Sequence, residues 1–226
     1  MDAKQRVGEA ALQHVSDGMI IGLGTGSTAQ CFIQAIASAL RKGQLRDIRA
    51  VPTSVHSEKL AVQSGLTVVT FAQITRIDLT VDGADEIAPD LTLIKGLGGA
   101  LLREKMVAQN SSKVVIIADA QKLVTRLGTK SPLPVEVTPF GAEASERFLR
   151  DLGCTPALRR QPDGSVLITD NGNYIFDCKF AEIPDPRELN QKLASRAGIV
   201  ESGLFIGLTH TAIIADNTTV WTIAKP

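Results

Sequence analysis

Few cysteines, few histidines and no excess charge of either sign remove several function classes at the outset. Cys31, Cys154 and Cys178 are odd in number and lack C-x-x-C spacing. They read as small apolar core residues in a reducing compartment, not as a disulfide framework. His14, His56 and His210 are dispersed, with none three or four residues from another, which argues against a zinc site. The 24 basic and 24 acidic side chains cancel, so no global field draws nucleic acid or an anionic membrane, although a pocket for one phosphate needs only a few cations. No apolar run approaches the ~20 residues that a membrane span requires. No charged-then-apolar leader precedes the helical pattern at the N-terminus, so a cytoplasmic chain is expected. Low-complexity segments and internal repeats are absent as well.

What is present is a chain of 226 residues, 44% hydrophobic and 21% charged, long enough for one large domain or two unequal ones. Residues 3–16 read as a helix with Val7, Ala10, Ala11 and Val15 on one stripe. Short apolar runs at 19–23, 48–51, 66–71, 77–81 and 114–118 read as strands, with helices at 27–40, 54–64 and 99–110 between them. Strand and helix alternating at this spacing predict an α/β fold with a doubly wound, mostly parallel sheet. In such sheets, sites collect beyond the carboxyl ends of the strands. The rhythm changes near Thr129. Ser131-Pro-Leu-Pro134 breaks the chain, followed by a strand from Val135, a helix at 142–152 and a strand near 156–160. Turns at Pro162-Asp-Gly164 and Asn171-Gly172 are flanked by β-alternation at 166–169 and 174–178. A helix from Pro186 to about Ala197 and a strand from Leu204 complete a small split β-α-β unit. Residues 131–206 therefore read as a second domain inserted into a first one, 1–130 plus 207–226, whose last strands form a hairpin around Asp216-Asn217.

Three motifs carry the chemistry. Gly22-Leu-Gly24-Thr25-Gly26-Ser27-Thr28 joins a strand to a helix: glycines admit a ligand to the backbone, hydroxyls donate, and a helix N-terminus favours an anion. A simple capped turn would use the same residues. The nucleotide P-loop pattern is missing, and Val51-Pro52-Thr53 ends the second strand without the acidic residue of a dinucleotide site, so the phosphate of a small molecule remains. Asp82-Gly83-Ala84-Asp85 places two carboxylates on one turn, suited to a hard cation, to turn formation, or to binding sugar hydroxyls and moving their protons. Lys95 weakens the metal option by occupying the same negative field. Lys95-Gly96-Leu97-Gly98-Gly99 then feeds a helix with Glu104 about one turn in, near the positive end of its dipole. Arg103 and Lys105 read as solvated helix charges.

Together, Gly24 to Thr28, Asp82-Gly-Ala-Asp-Glu86 and Lys95 to Lys105 resemble the ribose-5-phosphate isomerase type A family in order and spacing, and the resemblance runs through essentially the whole chain. It implies a Rossmann-like domain with an inserted ferredoxin-like α+β domain, interconversion of ribose 5-phosphate and ribulose 5-phosphate in the non-oxidative pentose phosphate pathway, no metal or organic cofactor, and a homodimer or dimer of dimers. It also implies roles. Glu104 is the base that moves a proton between C2 and C1, Asp82 assists ring opening, and Asp85 holds sugar hydroxyls. Lys95 and the N–H groups of Gly96, Leu97 and Gly98 stabilise an enediolate. Thr25, Gly26, Ser27 and Thr28 line the pocket with Gly83 and Ala84, and Lys4 and Lys122 approach the phosphate. Many members carry four glycines after the lysine, whereas here Leu97 replaces the second. Leucine keeps its N–H but resists positive φ by roughly 1–2 kcal/mol, which puts in doubt any role needing that backbone shape.

The chemistry suits these residue types. A sugar C2–H is a weak acid and a carboxylate a mild base, so the enediolate needs preorganised donors in a water-poor pocket. Other readings of the scaffold are a sugar-phosphate sensor, a coenzyme A transferase subunit, or an amino-sugar-phosphate deaminase. A sensor would carry a DNA-binding helix-turn-helix, for which no room is expected before the first strand. A deaminase would need a histidine in the motifs, which hold none.

Overall fold

The computed structural model describes residues 2–225. In chain order its elements are α1 (Ala3–Ala10), β1 (Ile20–Leu23), α2 (Ser27–Arg41), β2 (Arg49–Pro52), α3 (Val55–Gln63), β3 (Thr67–Val68), β4 (Ile77–Asp82), β5 (Glu86–Ile87), β6 (Leu93–Ile94) and α4 (Leu101–Gln109). There follow β7 (Ser111–Asp119), β8 (Leu133–Val137), α5 (Ala142–Asp151), β9 (Thr155–Leu158), β10 (Tyr174–Lys179), α6 (Pro186–Ala194), β11 (Ile199–Ser202), β12 (Leu204–Phe205), β13 (Thr211–Ala215) and β14 (Val220–Ala224). They sort into two compact units. The first holds the residues up to Ala84, Arg103–Lys122 and those from Gly207 onward; the second holds Asp85–Leu102 and Leu123–Ile206. The expected insert, 131–206, falls within the second unit, which also takes in 85–102 and 123–130.

The first unit is built on a seven-stranded sheet in the order β14-β13-β7-β4-β1-β2-β3, parallel except for β14. Successive side chains of a strand point to opposite faces. On one face Ile21, Leu23, Val81, Val115 and Ile117 meet Val7, Phe32, Ile33 and Ile36 of α1 and α2. On the other, Ile20, Val51 and Val69 meet Val107 of α4, and Ile77 at the start of β4 joins the same cluster. Both faces are covered, which is why β1 reads as a continuous apolar run. The chain leaves β1 toward β2 on one side and reaches β4 on the other, so the sheet order reverses between β1 and β4. Such a reversal opens a crevice beyond the strands' carboxyl ends.

In the second unit, β8-α5-β9-β10-α6-β11 folds as an antiparallel sheet of order β11-β8-β10-β9. Leu133, Val135, Val137, Phe176 and Cys178 share a core with Leu149 of α5 and Leu193 of α6. A three-stranded sheet, β12-β6-β5, completes the unit.

Most predicted strands and helices are found, with corrections. The strand expected at 66–71 shrinks to β3 and gives way to a 3₁₀ turn at Phe71–Gln73, and α6 ends at Ala194. The antiparallel sheet is closed by β11, not by the strand at Leu204, because Leu204–Phe205 pairs with β6. The first helix is α-helical only to Ala10 and tightens into a 3₁₀ turn over Ala11–His14. Pro134 does not break the chain but lies within β8, where its carbonyl accepts the Gly203 N–H at 2.7 Å. Residues 166–169 form no strand; a single bridge joins Arg160 and Val166. Cys154 and Cys178 are buried as expected, whereas Cys31 is only half-buried. The short strands β5 and β6 were not predicted, because two residues carry no periodicity.

Candidate active site

Within the first unit, the crevice edge carries the Gly24–Thr28 turn and Asp82. Asp82 ends β4 and is 2% exposed. Its Oδ1 accepts the N–H of Thr25 at 3.1 Å and of Gly83 at 2.7 Å, so two backbone donors orient the carboxylate. Gly24 makes this approach feasible: a Cβ there would lie 2.1 Å from Asp82 Oδ1. The Thr25 hydroxyl meets Thr53 Oγ1 at 2.7 Å and Ser54 Oγ at 2.8 Å, and Ser54 in turn caps α3. Gly83 stands by Thr28, whose Cβ is 4.0 Å from where a Gly83 side chain would begin.

Gly26, at φ 106°, starts α2 without a side-chain cap, which leaves first-turn N–H groups available to an anion. Lys4 Nζ donates to Ser27 Oγ at 2.9 Å at that helix end. It reaches there because α1 and α2 cross closely: a Cβ on Gly8 would fall 2.9 Å from the backbone of Cys31 and Phe32. Lys122 is half-buried in a 3₁₀ turn just past the carboxyl end of β7, the strand beside β4.

Glu104 lies in the first turn of α4 and is 4% exposed. Val107, three residues on, shares its helix face and packs so closely on the sheet that a Gly22 side chain would collide with it at 2.6 Å. A helix joining β4 to the parallel strand β7 runs antiparallel to both, so its first turn lies at their carboxyl ends. Lys105, expected to be solvated, is buried at 6% exposure, and Arg103 is half-buried.

Within the second unit, Lys95 follows β6 at 3% exposure, with Nζ 5.4 Å from the Phe205 ring centroid and its N–H on Gly203 O at 2.9 Å. Gly96 and Gly99 take positive φ, 106° and 81°. Leu97 does not: among the described residues, Asp47 and Leu91 are the non-glycines at positive φ. Leucine at this position is therefore unstrained. Its N–H donates to Asp85 Oδ2 at 3.0 Å, which ties the second carboxylate of the Asp82–Asp85 turn to the glycine loop. Gly98 is exposed, and Ala84 is half-buried in the first unit.

Three features carry no functional mark in the sequence. The Thr53–Ser54 hydroxyls were legible only as a capping signal, Lys105 carried no mark of burial, and Arg159 reaches the carbonyls of Gly96 and Leu97 from far along the chain.

Comparison with known proteins bears on this arrangement. The family model of ribose 5-phosphate isomerase A (phosphoriboisomerase A) matches residues 49–219. Proteins named ribose-5-phosphate isomerase A from Roseiflexus sp. (strain RS-1) and Gloeobacter violaceus are 48% and 49% identical, over 94% of this chain and 91% and 92% of their own lengths. A D-ribose-5-phosphate isomerase solved in complex with phospho-erythronic acid superposes with a TM-score of 0.96 at 36% identity, covering 99% of this chain and 100% of that one. The ribose 5-phosphate isomerase of Plasmodium falciparum does so at 0.94 and 40% identity, over 98% and 97%. With sequence and fold agreeing over nearly its whole length, this chain belongs to the ribose 5-phosphate isomerase A family.

Proposed function

We propose that the chain interconverts D-ribose 5-phosphate and D-ribulose 5-phosphate by proton transfer through an enediolate. The observation that carries the mechanism is the burial of one ionisable group in each of two units' motifs and in the α4 helix: Asp82, Lys95 and Glu104 are 2%, 3% and 4% exposed. Burying a charge is costly, so three such groups on turns and a helix start indicate chemistry more than solubility.

Glu104 takes the proton from C2 of the opened sugar and returns it to C1; a carboxylate suits a step in which the base must give back what it takes. Asp82, oriented by the Thr25 and Gly83 N–H groups, passes a proton during ring opening. Asp85 holds sugar hydroxyls. Lys95 and the N–H groups of Gly96 and Gly98 stabilise the enediolate oxygen, the Leu97 N–H being engaged by Asp85, and each preorganised donor can contribute ~10²–10³ in rate. The N-terminus of α2 with Ser27 and Thr28, helped by Lys4 and Lys122, takes the phosphate. That contact is remote from the reacting carbons, so its binding energy serves orientation.

This reading brings a small phosphorylated sugar as ligand, a homodimer or dimer of dimers as assembly, and the cytoplasm as compartment. Sedimentation equilibrium tests the assembly. Membership of the isomerase family displaces the sensor, transferase and deaminase readings. The decisive measurement is Glu104→Gln: a folded variant should lose at least about three orders of magnitude in kcat. Turnover near that of the unaltered chain would remove Glu104 from the base role.

A further inference from the structure

We infer that Arg159 is a positioning residue for the isomerisation, aiming the N–H groups of the glycine loop through its grip on that loop's carbonyls; the inference rests on the function proposed above. Leu158, Phe176 and Cys178 pack in the core shared with α5 and α6, so strand alternation turns Arg159 and Asp177 to the other face of the sheet. There the Arg159 side chain is 10% exposed and forked on Asp177, with Nε donating to Oδ2 at 2.8 Å and Nη2 to Oδ1. Nη1, which the fork leaves over, donates to Gly96 O at 2.9 Å and to Leu97 O at 3.1 Å.

Peptide planarity converts that grip into a direction for donors. In a trans peptide the C=O and the following N–H point opposite ways, and the described residues contain no cis bond. Fixing Gly96 O and Leu97 O on the guanidinium therefore turns the N–H groups of Leu97 and Gly98 away from it. The Leu97 N–H accordingly meets Asp85 Oδ2. The Gly98 N–H donates to no group among the described residues and is available to a developing oxyanion. The guanidinium also polarises both peptide groups, which strengthens their donors. An ion pair serving stability alone would be complete with Asp177. Gly96 O already accepts the Gly99 N–H at 2.9 Å, and Leu97 stands at an exposed turn where water could serve its carbonyl, so the guanidinium contact adds orientation.

The test compares the unaltered chain with Arg159→Met, Arg159→Lys and Asp177→Asn in kcat and KM for ribose 5-phosphate, thermal unfolding, and calorimetric binding of phospho-erythronic acid, whose carboxylate places charge where the enediolate does. Arg159→Met should lower kcat ~10²-fold with KM within about threefold, and weaken the acid by a similar factor, because the lost donors act on the anion and not on the phosphate. Arg159→Lys should recover part of both, since an ammonium can reach a carbonyl but cannot fork. Asp177→Asn, nearly isosteric, keeps the guanidinium but loosens it, and should cost kcat ~10-fold. A folded Arg159→Met with kcat and acid affinity within about twofold of the unaltered chain overturns the inference. If that variant does not fold, unchanged kcat and acid affinity in Asp177→Asn overturn it. An unaltered chain that binds the acid but turns over no ribose 5-phosphate would instead sink the proposed function, and the binding arm would still judge the role of Arg159.

Discussion

At Asp82 the carboxylate's geometry depends on an atom that is not there. The carboxylate sits where a Gly24 Cβ would be, 2.1 Å from Oδ1 and 2.3 Å from Cγ. Gly24→Ala should therefore push Asp82 off its two backbone donors, reduce kcat at least ~10-fold and cost about 1–3 kcal/mol in stability, read by steady-state kinetics and urea unfolding. Glu86, next to the second aspartate, has a different task. Fully buried, it accepts the N–H groups of Gly128 at 2.7 Å and of Lys130 at 2.6 Å, as well as that of Ser131. A carboxylate is acceptor-only, whereas an amide would turn an NH₂ toward N–H donors. Glu86→Gln should accordingly destabilise the fold by about 2–4 kcal/mol in urea titration, an effect far larger than its volume change explains. The sequence displayed Glu86 as part of a motif; only the fold shows that it fastens a loop some forty residues away.

At the level of elements, the close crossing of α1 and α2 is what delivers Lys4 to Ser27. Gly8→Val would force the helices apart, since its Cβ alone would lie 2.9 Å from backbone atoms that cannot move aside. The expected result is a lower Tm together with a KM for ribose 5-phosphate raised several-fold. On the proposed phosphate role, Lys4→Met should raise KM about as much without the stability loss, because such a contact would be equally strong in ground and transition states. Thermal unfolding and steady-state kinetics on both variants separate the two effects; unchanged KM in Lys4→Met would detach Lys4 from the phosphate. Elements of this size were readable beforehand. The apolar stripe of α2 and the uninterrupted strand β1 follow from periodicity within a single turn or pleat. The two-residue strands β5 and β6 were not, since runs so short show no periodicity; the turn at Pro162-Asp-Gly164 was legible, but its flanks close as a single bridge, Arg160–Val166, and not as a strand pair.

For the whole molecule, the balanced charge leaves pH sensitivity to a few individual groups. Burial, aided by the charge of Lys113, holds the His14 imidazole below its ordinary 6.5; Lys113 Nζ lies 3.2 Å from Nδ1. The unfolded chain then binds a proton that the folded chain declines. His14's contribution is complete above the unfolded value and is lost as pH falls below it toward the folded one. Asp216 behaves similarly in a more acidic window. The N–H groups of Thr219 and Thr218 hold its carboxyl well below 3.8, so its contribution is present above that value and lost as pH falls through the folded one. Urea unfolding from about pH 8 to about pH 5.5 should thus show the unaltered chain losing stability faster than His14→Leu; parallel curves would contradict the assignment.

Composition, periodicity and three short motifs determined the α/β class, the order of most elements and the family, because each is written in residues at most a few turns apart. Tertiary structure alone decided which groups meet. Thr25 and Asp82 are 57 residues apart, Arg159 and Gly96 are 63, and Glu86 and Gly128 are 42. No local pattern encodes such pairs, because a hydrogen bond requires only that two chain segments arrive together, and sheet order and packing bring them there.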